Sequence, residues 1–126
     1  IGEIVRCFYE SLALTYRRTL EGIQDCTGKK YHKIYVVGGG TRDRLLLQMT
    51  ADSCGVPVSA GPVEATVFGN LLVQLIAAGE ISSIAEGREI IRQSEPPVLL
   101  MPSHTEAWEN AYHRFVALTK KEKRFE

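Results

Sequence analysis

The apolar side chains in the first part of the chain recur at steps of three and four residues: Phe8, Leu12, Tyr16, Leu20 and Ile23. Polar residues occupy the positions between them, which is the pattern of an amphipathic helix with one face against a core. The spacing predicts a helix from about Gly2 to Cys26, and Gly28 predicts its end.

A short run rich in β-branched and aromatic residues follows, from His32 to Gly38. The run is too short for a helix, so it predicts a buried strand that ends at the glycines. Thr41 then predicts the N-cap of a helix that reaches Cys54. Asp43 falls in the first turn of that helix, where a carboxylate suits the helix dipole.

The segment VPVSAG predicts a second, shorter strand, and the residues from Glu64 to Gly79 predict a third helix. That helix carries a broad apolar stripe: Phe68, Leu71, Leu72, Leu75 and Ile76. Gly69 lies inside it, where glycine costs about 1 kcal/mol relative to alanine. We therefore expect another backbone to pack close to Gly69, or a ligand to pass near it.

The last third of the chain predicts a helix from Ile84 to Ser94 and then an extended connector, which contains Pro96, Pro97 and Pro102. A final helix begins at His104 or Thr105. Its large side chains at helical spacing predict packing in a core or interface: Trp108, Tyr112, Phe115 and Leu118. The charged residues 119–126 predict a solvated tail.

The predicted order is helix, strand, helix, strand and then three helices. A strand, helix, strand unit with a short crossover predicts parallel strands in an α/β fold. Two parallel strands are too few for a sheet whose faces must both be covered. Since the chain also begins at Ile1 and not at methionine, we expect a piece of a longer protein whose other strands precede Ile1.

The composition, with 44% hydrophobic and 24% charged residues among 126, is that of one soluble domain or part of one. Fifteen basic and fifteen acidic side chains cancel, which argues against nucleic acid or an anionic membrane as a partner. No apolar run is long enough to span a membrane and no signal-peptide pattern is present, so we expect a cytoplasmic protein. Cys7, Cys26 and Cys54 are widely spaced and predict buried, reduced thiols.

Three consecutive glycines stand between the first predicted strand and the next helix, in VVGGGTRDRLLLQ. A P-loop is excluded, because Thr41, Arg42 and Asp43 follow the glycines in place of lysine and serine or threonine. A dinucleotide fingerprint is disfavoured, because Asp43 replaces its third glycine and Ser59 stands where an acidic residue is expected.

A strand end, glycines without Cβ and a helix N-terminus together present backbone N–H groups to an anion. Asp43 repels phosphate and suits hydroxyl or amino donors, such as those of ribose or adenine. The turn therefore favours a nucleoside with its nearest phosphate, and a tight turn that binds nothing remains the alternative. Glu64 has a similar place before the next helix, where the helix dipole explains it.

The remaining polar residues give no pattern of a catalytic or metal site. His32, His104 and His113 lack the i, i+4 partner of a helical metal site. No serine lies in a G-x-S-x-G motif, so a hydrolase is not predicted.

Three segments, GGGTRDRLLLQ, ADSCGVPV and AGPVEATVFGN, closely resemble the C-terminal portion of carbohydrate kinases of the FGGY family. Within that family the chain is most similar to the rhamnulokinases, which phosphorylate L-rhamnulose with ATP. The resemblance runs from the first helix to about Leu118. It implies part of an actin-like and hexokinase-like (ribonuclease H-like) α/β ATPase domain, with a short parallel βαβ unit and several packing helices, from a protein whose two domains hinge about a cleft.

The resemblance also implies a site and its ligands. Glycines at the positions of Gly38, Gly39 and Gly40 line the nucleotide near its ribose and α-phosphate, and the residue at the position of Asp43, commonly asparagine, faces the adenosine. The implied ligands are ATP with Mg²⁺ and a small-molecule sugar, and the implied partner is the N-terminal domain of the same chain.

The same resemblance places the catalytic aspartate and most sugar contacts upstream of Ile1. We therefore expect residues 1–126, the C-terminal part of the ATP-binding domain, to be inactive alone. Two alternatives remain: another FGGY kinase, acting on xylulose, fuculose or glycerol, and a non-catalytic nucleotide-binding module with the actin-like fold.

Overall fold

The computed structural model describes residues 1–122. In chain order its elements are α1 (Gly2–Thr27), β1 (Ile34–Val36), a 3₁₀ turn (Gly39–Arg42), α2 (Arg44–Cys54), β2 (Val58–Ala60), α3 (Ala65–Ala77), α4 (Ile84–Ser94), β3 (Val98–Leu100) and α5 (Thr105–Glu122). α5 thus enters the stretch predicted as a tail, whose last four residues, 123–126, lie outside the described ones. Within residues 1–122, no helix is long and apolar enough to cross a membrane.

The three strands form one sheet in the order β1, β2, β3. β1 and β2 run parallel, with Ile34 opposite Val58 and Val36 opposite Ala60, which confirms the predicted strand, helix, strand unit. β3 lies antiparallel along the other edge of β2, with Val98 opposite Ala60. The sheet therefore takes its third strand from the C-terminal part of the chain.

The prediction of a connector for the proline-rich segment was wrong at its centre, because Val98–Leu100 pairs with β2. Pro96, Pro97 and Pro102 flank the paired residues, where the missing N–H of proline breaks no hydrogen bond of the sheet. A strand of three residues is too short to show a hydrophobic period, so the prolines dominated the sequence pattern.

The buried core lies between α2 and the sheet. It consists of Leu47, Ala51, Val58 and Ala60, and the partly buried Ile34, Val36 and Leu100 pack against it. Residues four apart on a helix share a face, and alternate residues of a strand share a side, so both elements turn their apolar positions inward. This packing places α2 over the sheet, with its N-terminus following the carboxyl end of β1.

α5 is joined to α1 by a polar network. The Arg17 guanidinium pairs with Glu109 of α5 (Nη2 to Oε2, 2.7 Å) and with Glu21 (Nε to Oε1, 2.9 Å), and lies 4.0 Å from the centre of the Tyr112 ring. The Tyr112 hydroxyl donates a hydrogen bond to Glu21. Burial, and then this hydrogen bond, raises the pKa of Tyr112 to about 12. Of the large side chains of α5 that were predicted to pack, Tyr112 is buried, whereas Leu118 is exposed.

α3 and α4 pack against each other, through the buried Leu72 and Ile81 and the backbone of Gly87. A Cβ at Gly87 would overlap the Leu72 side chain. At Gly69, by contrast, no atom of residues 1–122 lies within 4 Å of the place that a Cβ would take, so the predicted close packing is not found among the described residues. The predicted apolar stripe of α3 is partly covered: Leu72 is buried and Leu71 is exposed, and the rest are half-buried, namely Phe68, Leu75 and Ile76.

The cysteines are all free, but they differ in exposure. Cys7 and Cys26 are exposed, so the prediction of buried thiols was wrong for both. Both lie on α1, and much of the surface of that helix is left uncovered by the other elements. Cys54 is half-buried at the end of α2, and its burial raises the pKa of the thiol to about 11.

Candidate functional site

Two turns lie side by side at the carboxyl ends of the parallel strands. The first turn follows β1 and the second follows β2, and two backbone hydrogen bonds join them. The Gly38 N–H donates to the Pro62 carbonyl (3.0 Å), and the Gly61 N–H donates to the Val36 carbonyl (2.8 Å). In open α/β sheets, ligands bind outside the carboxyl ends of the strands, so these turns form the candidate site.

Gly38 gives the first turn its shape. Its backbone has φ 84° and ψ −166°, a conformation that only glycine adopts without strain. Its carbonyl accepts two hydrogen bonds from Thr41, one from the backbone N–H (3.0 Å) and one from the hydroxyl (2.7 Å). The chain therefore reverses at Gly38 and enters a short 3₁₀ turn before α2 begins.

Gly39 and Gly40 supply hydrogen-bond donors. They open the 3₁₀ turn, and within residues 1–122 their backbone N–H groups meet no acceptor. Among the residues that the structure describes, nothing lies within 4 Å of the place that a Cβ of Gly39 would take, and the corresponding place at Gly40 has only a Val36 methyl group at 4.0 Å. A ligand oxygen can therefore approach this turn closely, as an anion does at other glycine turns.

Asp43, and not Thr41, is the N-cap of α2. Its carboxylate Oδ1 accepts a hydrogen bond from the Leu46 N–H (3.0 Å). The predicted helix start was two residues too early, because the 3₁₀ turn takes up the residues that follow the glycines. The Asp43 N–H belongs to that turn and donates to the Gly40 carbonyl (3.3 Å).

The Tyr9 hydroxyl of α1 lies near the same carboxylate. This hydroxyl, and then the hydrogen bond from the Leu46 N–H, hold the pKa of Asp43 below its ordinary value. The neighbouring carboxylate in turn raises the pKa of Tyr9. Asp43 is therefore ionised at neutral pH and only accepts hydrogen bonds. Sequence reasoning missed Tyr9, because it lies on another element and no local pattern marks it.

Glu64 lies before α3 beside the second turn. It is the N-cap of α3 through its backbone carbonyl, which accepts from the Phe68 N–H (3.0 Å), whereas its exposed side chain makes no capping hydrogen bond and relates to the helix only through the dipole. Pro62, which accepts from Gly38, is the closer link between this turn and the glycines.

The other candidate residues do not join the site. His32 and His104 are exposed, and His113 lies 3.2 Å from Glu109 on α5 (Nε2 to Oε1). Ser53 is buried and donates to the Ala13 carbonyl (3.1 Å). Within the described part of the chain, no three His, Cys, Asp or Glu side chains are grouped so that they could hold a metal ion.

The site thus combines two unpaired backbone donors with one ionised carboxylate. Such a set binds an anionic oxygen and, close to it, a hydroxyl or amino donor. Comparison with known proteins identifies the family of the chain. Residues 1–78 match the C-terminal domain of the FGGY family of carbohydrate kinases.

The chain belongs to this family.

Relatives among the FGGY kinases agree over most of the chain. It is 43% identical over 114 residues to a rhamnulokinase of Bacteroides thetaiotaomicron, a match that covers 90% of the chain and 24% of the relative. It is 42% identical over 101 residues to a rhamnulokinase of Bacillus subtilis, covering 80% of the chain and 21% of the relative. The chain therefore spans about a quarter of the length of the curated relatives that it matches.

A solved structure shows the same fold. The xylulose kinase of Rhodospirillum rubrum superposes with a TM-score of 0.76 at 23% identity, over 98% of this chain and 25% of that protein. The fold is that of part of an actin-like ATPase domain, which confirms the predicted α/β class and its parallel βαβ unit. β3 and the helices around it lie beyond the residues that the family match covers.

Proposed function

We propose that this chain is the C-terminal part of the ATP-binding domain of a sugar kinase. The whole protein would transfer the γ-phosphate of ATP to a ketose hydroxyl, converting L-rhamnulose to L-rhamnulose 1-phosphate. The observation that carries the nucleotide site is the pair of unpaired N–H groups at Gly39 and Gly40, at the carboxyl ends of parallel strands. Identity above 40% to two rhamnulokinases supports the sugar.

Different residues of the turn would contact different parts of the nucleotide. The N–H groups of Gly39 and Gly40 would donate to the phosphate nearest the ribose, and Gly38 would hold the backbone in the required shape. Asp43 uses Oδ1 to cap α2, and its remaining lone pairs would accept from a ribose hydroxyl or from the adenine amino group. Its charge would keep the terminal phosphates away from the start of α2.

The chemistry itself would need residues that precede Ile1. Phosphoryl transfer depends on positioning and charge stabilisation by parts of both domains, and the base and most sugar contacts would come from the N-terminal domain. Mg²⁺ would bind to the nucleotide phosphates with ligands from elsewhere in the protein, since residues 1–122 group no metal-binding side chains. This chain alone would bind no sugar and transfer no phosphate.

The partner that we propose, the N-terminal part of the same protein, has a surface to occupy. We call it the α1–β1 surface, which has two parts: exposed apolar side chains on α1 (Phe8, Leu12, Tyr16 and Ile23) and, on the opposite face of the sheet because they alternate with the inward Ile34 and Val36, Tyr35 and Val37. Between α1, β1 and α2 an apolar cavity of about 330 Å³ opens toward it.

The outer edge of β1 is unpaired within residues 1–122, and no proline interrupts it, whereas prolines flank the other edge strand, β3. A parallel strand needs cover on both faces and a neighbour at its edge. We therefore propose that the preceding three quarters of the protein, by the length of the relatives, extend the sheet at β1.

The test is an assay of the full-length protein with ATP and Mg²⁺ on L-rhamnulose, L-fuculose, D-xylulose and glycerol, together with ADP binding by calorimetry. We expect phosphorylation of L-rhamnulose with the highest kcat/KM, and no transfer by residues 1–126 alone. Activity on xylulose or glycerol only would overturn the sugar and leave the kinase. ADP binding without transfer to any sugar would overturn the kinase and support a nucleotide-binding module.

A further inference from the structure

A buried carboxylate lies near the far end of α2 from the glycine turn. Asp52 is only 5% exposed, and its Oδ1 accepts hydrogen bonds from the Ser103 N–H (2.8 Å), the Ser103 hydroxyl (3.2 Å) and the Gln48 amide (2.8 Å). The same Gln48 amide donates to the Met101 carbonyl (2.8 Å). These four residues, here called the α2 clamp, join α2 to the segment between β3 and α5.

Burial of the Asp52 carboxylate is unfavourable unless hydrogen bonds satisfy its oxygens. Taking a carboxylate out of water is strongly unfavourable, and here only neutral donors compensate for it. Every buried side-chain nitrogen and oxygen in residues 1–120 has a hydrogen-bond partner, so the compensation is made. Hydrogen bonds to an ionised acceptor are about twice as strong as neutral ones, which makes the clamp a firm link.

The α2 clamp fixes the orientation of α2, which the apolar core alone does not. Leu47 and Ala51 hold α2 on the sheet through apolar contacts. The free energy of such contacts depends on the area buried and hardly on direction. Gln48 and Asp52 stand four residues apart on a neighbouring face, and their hydrogen bonds fix the rotation and the slide of the helix.

The position of α2 matters to the turn, because the helix and the turn are directly joined. Asp43 caps the first turn of α2, and the Leu47 N–H donates to the Asp43 carbonyl (3.1 Å). The 3₁₀ turn with Gly39 and Gly40 precedes Asp43 without a break. A rotation of α2 would therefore redirect the two free N–H groups.

We propose that Asp52 and Gln48 are positioning residues for the nucleotide site, acting through α2 on the N–H groups of Gly39 and Gly40. The inference rests on the proposed nucleotide-binding function. It also gives a role to the segment after β3, which lies outside the residues of the family match. The segment between β3 and α5 would thus hold α2, the helix that follows the glycine turn.

The experiment replaces Asp52 by asparagine in the full-length protein and measures the KM for ATP, the KM for sugar, kcat and the dissociation constant of ADP. Asp52→Asn keeps the volume but loses an acceptor and the charge. We expect the KM for ATP and the ADP dissociation constant to rise about three- to tenfold, as a small misplacement of binding groups causes, with the KM for sugar unchanged. Asp25→Asn, an exposed position on α1, is the matched control and should change none of these values.

A purely structural role would give another result: a smaller active fraction, and therefore a lower kcat, with the KM for ATP and the ADP dissociation constant as in the unmodified protein. That result would overturn the proposal. If Asp52→Asn does not fold, Ser103→Ala serves instead. It removes the hydroxyl bond to Asp52 (3.2 Å) and the long contact from the Gln48 amide (3.5 Å) but keeps the Ser103 N–H bond, and it should also raise the KM for ATP. A full-length protein that binds no ADP would refute the proposed function itself, whatever the variants do.

Discussion

In the 38–43 turn, one glycine shapes the backbone and another leaves room for a ligand. Gly38 carries the conformation that other residues adopt only with strain, whereas Gly39 has an ordinary negative φ and empty space beside it. The run of glycines was visible in the sequence, but their different tasks were not. The N-cap was also misassigned, because Thr41 and Asp43 are both good caps and only the 3₁₀ turn decides between them.

Alanine at these two glycines should therefore have different effects. Gly38→Ala should lower the free energy of unfolding of the chain by about 1–3 kcal/mol, the cost of a side chain in this backbone region. Gly39→Ala should leave it nearly unchanged, because its backbone and surroundings accept a Cβ. Urea denaturation of the two variants measures the difference.

In the full-length protein, Gly39→Ala should nevertheless raise the KM for ATP, since the Cβ would occupy the approach to the free N–H groups. Equal destabilisation by both alanines, with no change of the KM for ATP, would contradict this division of tasks.

At the scale of elements, the helices that pack through periodic apolar faces were predictable, and the close contacts between them were not. α4 was predicted with the bounds that it has, from Ile84 to Ser94. Its contact with α3 occurs at Gly87, a glycine that no local pattern singles out, while the conspicuous Gly69 is open. Which glycine of two helices lies at their crossing depends on how the helices are rotated about their axes, and this is decided by packing.

The same pair of glycines gives a test of the α3–α4 contact. Gly69→Ala should raise the free energy of unfolding by about 0.5–1 kcal/mol, because an exposed helix interior gains helix propensity without a clash. Gly87→Ala should lower it, since overpacking costs about 1–3 kcal/mol and exceeds the same gain in propensity. Thermal or urea unfolding of both variants measures whether each substitution raises or lowers the free energy of unfolding.

Leu72→Val in the Gly87→Ala background should recover part of the loss, because Leu72 is the side chain that the new Cβ meets. A stabilising Gly87→Ala would show that Leu72 moves aside freely, and would refute the tight contact.

At the scale of the whole molecule, the α1–β1 surface is the main feature that a domain with fully covered apolar faces would lack. Phe8 is 66% exposed and Tyr35 is 74% exposed, and both belong to stretches that the sequence pattern predicted to pack. Exposed large apolar side chains on both faces of the sheet at its β1 edge favour an interface there. The pattern of α1 thus predicts burial correctly only if the preceding part of the protein, as proposed, covers it.

Phe8→Ser tests this surface, with Val73→Ser on α3 as the control. The two side chains are similarly exposed, at 66% and 60%, but Val73 lies outside the α1–β1 surface. In residues 1–126 alone, Phe8→Ser should reduce self-association, measured by sedimentation, because it removes apolar area from an open face. In the full-length protein it should lower the free energy of unfolding by about 2 kcal/mol or more, the value of burying a large apolar side chain.

Val73→Ser should have the smaller effect in both measurements. An equal or larger effect of Val73→Ser in the full-length protein would place the covered face on α3 and refute the α1–β1 surface as the site of contact.

The sequence by itself determined the features that depend on near neighbours: the amphipathic helices, the parallel strands β1 and β2, and a glycine turn suited to an anion. These follow from side-chain period and from the freedom of glycine, which act over a few residues. Only the tertiary structure decided that β3 joins β2, that Tyr9 reaches Asp43, and that Asp52 holds Ser103. Those contacts join residues far apart in the chain, so their geometry follows from how the elements pack and leaves no local pattern.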